Sequence, residues 1–451
     1  MKIFPQDNDV VLYETGFEDD VLERKATSKQ LSELVERIED PIVLALDDQW
    51  GSGKTFFLKR WVAAHTAENN GSATTIYFDA FENDYLTDPL VSIITAVCAR
   101  LPNAQAKTAK KWKSAAAKLA KPALGVALSM ATFGAKQYLD EIGDVVADAA
   151  SGEAKDAAQD LWDMEKDRKE AVGDFRSLLS ELTQKSAAPI VIVVDELDRC
   201  RPDYALTVLE VIKHFFSVPK VHFVLSINGK ALENSVKARY GAEIDAESYL
   251  RKFINVSFSL PRTIGERGEI DVVAKYASNL VSDMKLPRRV SDRCISILKC
   301  VAKSREVSLR DVGKILSKVA LLPNAVHETN FVEGYIDIIC ALLVTSVVNP
   351  ELHMKLVSGD AQTSELRTFL CAPKEKTAER IGNDYNSEYD HEVTVWLATI
   401  VYCCGTKELK DVDDLPAWSD QMAGRFDRFA VRDRKSIAKG LQKDWVELFR
   451  I

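Results

Sequence analysis

The sequence contains no uninterrupted apolar stretch of the roughly 20 residues that a membrane-spanning helix requires. Its two closest runs are broken. "PALGVALSMATFGA", from Pro122 to Ala135, stops at Lys136, and "GYIDIICALLVTSVV", from Gly334 to Val348, contains Asp337. Both read as buried or docked helices. Positive charge is not in excess either: 59 Lys and Arg face 68 Asp and Glu, a formal charge of −9. That balance excludes a global nucleic-acid binder and leaves room only for a local basic patch. The eight cysteines lack the paired CxxC or Cys/His spacing of a zinc site. Cys294, Cys300 and the adjacent Cys403 and Cys404 read as small buried apolar side chains. With no secretory leader evident, the expected compartment is a reducing cytosol. There is no regular internal repeat, and no Ser-His-Asp or Cys-His arrangement that would support covalent catalysis.

The 451 residues are 46% hydrophobic and 28% charged, an ordinary globular balance with room for two or three domains. The first part alternates apolar strands with helical patterns, as a parallel sheet with crossover helices does. Five segments read as strands: "PIVLAL" (Pro41–Leu46), "TTIYFDAF" (Thr74–Phe81), "PIVIVVDEL" (Pro189–Leu197), "VHFVLSIN" (Val221–Asn228) and "FINVSFSL" (Phe253–Leu260). They are mostly apolar on both faces, which a central parallel strand needs. After Pro261 the apolar spacing is helical, as in "VSDRCISILKCVAKS" and "EVTVWLATIVYCC". Glu375 to His391 is polar and reads as a loop. The expected fold class is α/β: a five-stranded, mostly parallel central sheet, a helical insertion, and an α-helical C-terminal domain. The boundaries fall at 1–101 and 185–264 for the two parts of the sheet domain, 102–184 for the insertion, and 265–451 for the helical domain.

The chemistry starts at "LDDQWGSGKTFFLKRW" (Leu46–Trp61). A phosphate-binding loop, G-x-x-x-x-G-K-[ST], needs consecutive backbone N–H groups facing one concavity and a helix N-terminus facing the anion. It also needs a Lys for the β and γ phosphates and a hydroxyl for Mg²⁺. Gly51, Ser52 and Gly53 supply the nest, Lys54 the charge and Thr55 the metal ligand. Trp50 and Phe56 flank the loop and complete the candidate nucleotide-binding set. A strand precedes the loop and an apolar helix follows, which lifts a short motif to a strong signal. One position departs from the pattern, because Asp48 stands where the first glycine belongs. Turned inward, its carboxylate would repel a triphosphate; turned outward, it would only stiffen the loop. A degenerate loop kept for packing is the alternative.

"VIVVDELDRC" (Val191–Cys200) supplies the next requirement. Four apolar β-formers place Asp195 at the carboxyl end of a buried strand, where an unpaired carboxylate is costly and wants a cation. Asp195 is the candidate Mg²⁺ ligand together with Thr55. Glu196 is the candidate for orienting or deprotonating the attacking water, with Asp198 as runner-up. An acidic loop capping the helix from Asp203 is the bland alternative. Asn228 ends the following strand and is a candidate for the γ-phosphate or the attacking water, or simply a strand-to-helix turn residue.

In order and spacing, "WGSGKTFFL", "YFDAFENDY", "VVDELDRCRPDYALTVLEVIKHFF", "HFVLSIN" and "YLRKFINVSFSLP" resemble the KAP family of P-loop NTPases, a branch of the AAA+-like and STAND-like ATPases. The similarity covers about Asp20 to Arg262, with a weaker tail through "SLRDVGKIL" (Ser308–Leu316). It implies an ATPase using ATP and Mg²⁺, with catalytic Lys54, Asp195 and Glu196. It also places "DDVLERKATSKQLSELV" near the adenine and Arg310 where relatives carry a sensing arginine; a surface Arg on a helix is the alternative. Related ATPases complete their sites with an arginine from a neighbour, for which Arg239, Arg251 and Arg262 are candidates. Asn228 departs from the Asp common there. The resemblance associates such proteins with bacterial multi-protein systems, including defence against phages, and with membrane complexes. Members often carry membrane helices in the insertion; here the apolar run is too short, so at most peripheral membrane contact is expected.

The insertion begins with Lys107, Lys110, Lys111, Lys113, Lys118 and Lys121 around Trp112. A basic helix anchored by an aromatic side chain can lie on an anionic membrane or meet nucleic-acid phosphates. It can equally be a solvated face, with the insertion or the C-terminal domain serving self-association or a protein partner. Three functions therefore stand: an ATP-driven switch or motor, a nucleotide-held scaffold with little turnover, and a nucleic-acid-stimulated ATPase.

Overall fold

A computed structural model describes residues 1–5, 10–86, 88–100, 157–186, 188–214, 218–265, 270–372, 387–412, 415, 418, 421–422, 424–426 and 434–447. The Lys107–Lys121 cluster with Trp112 and the apolar run Pro122–Ala135 lie outside the described residues. The chain divides into two compact units. One comprises Asp9–Asp20 and Arg24–Leu260; the other comprises Met1–Asn8, Val21–Glu23 and Pro261–Ile451.

The first unit is built on five parallel strands: β1 (Val43–Asp47), β2 (Thr74–Asp79), β3 (Ile190–Asp195), β4 (Val221–Ile227) and β5 (Val256–Phe258). Their order is β2-β3-β4-β1-β5, so β4 separates the phosphate-loop strand β1 from the acidic strand β3. The fifth strand is shorter than its apolar run suggests. Only three residues pair, and Val256 is exposed at the sheet edge, where no further strand rewards extending the ladder.

The alternation within the strands shows why the sheet is covered twice. Val43 and Ala45 of β1, with Ile190, Ile192 and Val194 of β3, face one apolar layer, whereas Leu44 and Leu46, with Val191 and Val193, face the other. Helices α1 (Lys25–Arg37) and α2 (Lys54–Ala67) cover the second face through Leu31, Val35, Phe57, Leu58 and Trp61. Helices α3 (Pro89–Arg100), α4 (Ala157–Ser186) and α5 (Pro202–His214) cover the first. The C-terminal half of α4 thus belongs to the sheet core, with Phe175 and Leu179 fully buried. The outer edge of β2 is blocked by side chains: the Tyr77 amide donates to the Tyr13 hydroxyl (2.8 Å) and Arg100 Nε donates to the Thr75 carbonyl (3.2 Å). An occupied edge cannot template pairing with another chain. Helix α6 (Gly229–Tyr240) leaves β4, and α7 (Ala246–Leu250) precedes β5.

The second unit is helical beyond a two-residue antiparallel pairing of Thr263–Ile264 with Ile270–Asp271. Its main helices are α8 (Val272–Met284), α9 (Arg288–Ser304), α10 (Leu309–Ala320), α11 (Asn324–His327), α12 (Glu333–Val348), α13 (Pro350–Ser358), α14 (Thr363–Phe369), α15 (Ser387–Cys404) and α16 (Arg434–Leu441). Residues 387–391, expected as loop, open α15 instead. Lys2 N donates to the Met284 carbonyl (2.8 Å), which ties the first residues of the chain to this unit. The apolar run 334–348 is helix α12, buried along most of its length, and its Asp337 is bracketed by Arg293 (3.0 Å) and Arg425 (2.5 Å). Among the described residues no helix is long and apolar enough to cross a membrane.

Candidate nucleotide site

Parallel α/β sheets place ligands beyond the carboxyl ends of their strands, and the candidate residues lie there. At the end of β1 the chain turns through Gly51 (φ 82°) and Gly53 (φ 94°) into α2. Both glycines use left-handed backbone that a side chain would strain. Asp48 does not have positive φ, so the position where the motif carries its first glycine needs no glycine here. The Asp48 carboxylate turns back on the loop and accepts the Gln49 amide (2.8 Å). Lys54 opens α2, is buried, and donates its ammonium to the Asp48 (2.5 Å) and Gln49 (3.0 Å) carbonyls. Burial pushes its pKa down, while Asp198, Asp48, Asp195 and Asp47 oppose that shift. Thr55 is half-buried in the first turn, and Phe56 is exposed beneath the Arg60 guanidinium (4.4 Å).

At the end of β3, Asp195 is fully buried and has only neutral donors: the Tyr77 hydroxyl on one oxygen (2.7 Å) and the Glu196 amide on the other (2.8 Å). Burial, then the Asp195 charge, drives the Tyr77 phenol far above its usual range, so it stays a donor. Glu196 occupies left-handed backbone (φ 58°), a conformation that is uncommon outside glycine and clusters at functional sites. Its two carboxylate oxygens lie 3.0 and 3.1 Å from Arg199 Nη1. Burial raises its pKa, Arg199 opposes, and Asp79, Asp195 and Asp198 add to the rise. Asp79 is the register partner of Asp195 on β2. Asp198, in a one-turn 3₁₀ segment, is buried and accepts the Trp50 indole N–H. It also faces the Asn228 backbone amide and the Lys54 charge. The Asn228 side chain caps α6, accepting the Ala231 amide (3.3 Å).

The structure therefore brings Trp50, Gly51, Ser52, Gly53, Lys54, Asp195 and Asp198 to one edge of the sheet. Arg310 lies on the other compact unit, exposed in the first turn of α10. Arg251 and Arg262 are paired with Glu247 (2.5 Å) and Glu306 (2.5 Å), and Arg239 is exposed on α6. Sequence reasoning missed Tyr77, Arg24 and the Trp50–Asp198 bond. Tyr77 carried a signal, as a phenol in the strand next to the acidic one. The other two are contacts across 28 and 148 residues of chain that no local pattern announces.

Among the described residues no three His, Cys, Asp or Glu side chains converge to hold a metal. Mg²⁺ does not require such a cage, since it is commonly bound through one or two protein oxygens plus waters and phosphates. The Thr55 hydroxyl and the Asp195 carboxylate, the latter without a cationic hydrogen-bond partner, suit that role. A second constellation looks catalytic and is not. Ser32 Oγ, His65 and Glu36 form a row (2.9 and 3.0 Å), but Ser32 and His65 are sealed in the core and Ser32 Oγ already takes the Trp61 and Asn69 donors. The row ties α1 to α2.

Residues 24–325, more than half of the chain, match the KAP family P-loop domain. No curated protein matches the sequence. Solved structures with some likeness include the Aeropyrum pernix ORC2 protein in its ADPNP–ADP complexes (10% identity, TM-score 0.37, 78% of this chain and 76% of that one). Others are the Aeropyrum pernix ORC1 protein in complex with DNA (12%, 0.32, 92% and 92%) and PCH-2 of C. elegans (11%, 0.22, 87% and 70%).

Proposed function

Because the chain belongs to the KAP family of P-loop NTPases, we propose that it binds ATP at Gly51–Thr55 and hydrolyses it as a molecular switch. The observation that carries this reading is the buried Lys54 at the N-terminus of α2, behind two left-handed glycines, with the Asp195 and Asp198 charges around it. The amides of the loop and the positive end of α2 would cradle the β and γ phosphates. The Lys54 ammonium would exchange the carbonyls of Asp48 and Gln49 for phosphate oxygens, a stronger charge-assisted contact. Thr55 and Asp195 would hold Mg²⁺, which when bound neutralises charge on the phosphates. Tyr77 orients Asp195, and Glu196 is the group to accept a proton from the attacking water. Trp50 and Phe56, exposed on either side of the loop, are available to the nucleotide.

A second reading, a nucleotide-held scaffold with slow turnover, is supported by the grip of Arg199 on both Glu196 oxygens. A multi-protein setting, phage defence included, self-association through the insertion or helical domain, and a sensing role for Arg310 rest on the family resemblance. Steady-state hydrolysis with Mg²⁺, compared among wild type, Lys54→Ala and Glu196→Gln, tests the proposal. Turnover in the wild type that both variants lose supports it. Tight binding without turnover in the wild type moves the protein to the second reading. Turnover that persists in Lys54→Ala sinks the site assignment.

A further inference from the structure

Asp48 puts a negative charge at the start of a loop meant for polyphosphate, and the fold has to answer it. Its backbone is fixed at both ends: the amide donates to the Ile227 carbonyl at the end of β4 (3.1 Å), and the carbonyl accepts Lys54 Nζ (2.5 Å). The residue is therefore held in the loop, and its carboxylate is turned onto the Gln49 amide (2.8 Å). Arg24 sits at the N-terminus of α1 and is only 7% exposed. Its Nη2 donates to the Ser52 carbonyl inside the loop (3.3 Å). Its Nη1 is buried and has no hydrogen-bond partner among the described residues, and the Ser52 hydroxyl is in the same condition. A buried guanidinium with an unused arm is costly unless an anion compensates it. The carboxylates whose field it feels are Asp48 first and Asp20 second; Asp20 already accepts the Lys25 amide (2.7 Å). Burial lowers the Arg24 pKa to about 10, and both carboxylates oppose that fall, so it remains a cation at neutral pH.

We propose that Arg24 is a positioning residue of the phosphate loop: it holds the Ser52 carbonyl and neutralises Asp48, so that a loop with an acid in its first position still attracts a triphosphate. Asp48 and Arg24 are then a compensated pair, in which Asp48 repels a triphosphate once Arg24 is gone. The inference rests on the reading of this loop as an ATP site.

The test is a double-mutant cycle in the full chain with Asp48→Gly, Arg24→Ala and the combined variant, plus Arg24→Lys. Two quantities are read: the dissociation constant for ATP with Mg²⁺, and the melting temperature without nucleotide. Arg24→Ala should weaken ATP binding by about tenfold, the scale of losing one buried charged contact. Asp48→Gly alone should tighten binding slightly, and beside Arg24→Ala it should tighten binding by a larger factor and recover most of the lost affinity. Arg24→Lys, which keeps the charge without the fork, should fall between. If Arg24 merely packs α1, Asp48→Gly will change affinity by the same factor with and without Arg24, so that the effects add; that result, or unchanged binding in Arg24→Ala, overturns the proposal. If the wild type binds no ATP, the site reading fails, and the melting temperatures still decide the pair. Non-additivity there upholds it, and additivity refutes it.

Discussion

The two compact units each bury a carboxylate, and they treat it in opposite ways. In the helical unit Asp337 is 1% exposed and gripped by two guanidinium groups, Arg293 and Arg425. In the sheet unit Asp195 is equally buried, yet its hydrogen-bond donors are a phenol and a backbone amide, and Asp198 takes an indole N–H. Neutral donors stabilise a carboxylate without cancelling its charge. Asp337 is thus neutralised by ion pairs, whereas Asp195 and Asp198 keep a negative field at the sheet edge, shared with the buried Lys54. Burial of an acid does not by itself mark a functional site; what the protein supplies as its partner does.

The comparison can be broken at either end. Asp337→Ala should show the largest effect on stability. It leaves Arg425 without its anion and Arg293 with Glu333 alone, and breaking a buried pair costs about 3 kcal/mol or more; chemical denaturation measures this. ATP affinity should stay as in the wild type. Asp198→Ala should do the reverse. Removing an acid whose donors are neutral should cost less stability than Asp337→Ala, because it strands no buried guanidinium, with the main loss falling on ATP turnover. If the two variants lose stability equally, the distinction fails.

Tyr77→Phe comes next. It strips Asp195 of a donor and should cost about 1–3 kcal/mol, the penalty of an unsatisfied buried acceptor, unless Mg²⁺ and nucleotide are present to restore it. Melting curves with and without Mg·ATP should therefore differ more for this variant than for the wild type. Smaller still is a pH effect. Burial and the neighbouring acids raise the Glu196 pKa, and a base works only when deprotonated, so turnover should fall as pH drops through a value above the ordinary Glu range. Arg199→Ala removes the one opposing charge, and the acid limb of the pH–rate profile should move to higher pH. A limb that does not move would show that another group is the base.

Much of this was legible in the residues. Four of the five strands run where apolar β-branched stretches end in acids or turns, because a two-sided buried strand has no other composition available. The loop was legible because glycine, lysine and a hydroxyl at fixed offsets answer one geometric demand. What stayed hidden was long-range. Strand order, the Tyr77–Asp195 and Trp50–Asp198 bonds, and the Arg24 contact with Ser52 join residues far apart in the chain. Asp48 stood out only as a departure from the pattern, because the motif compares one position at a time. Its compensation lies 24 residues upstream in a helix cap, outside any local window.

The account turns on whether the sheet edge is a nucleotide site, and a calorimetric titration of ATP with Mg²⁺ into the wild type and Lys54→Ala tests that most directly. The account predicts one site per chain in the wild type, binding abolished in Lys54→Ala, and similar melting temperatures for the two proteins without nucleotide. Equal binding by both proteins, or none by either, would contradict it.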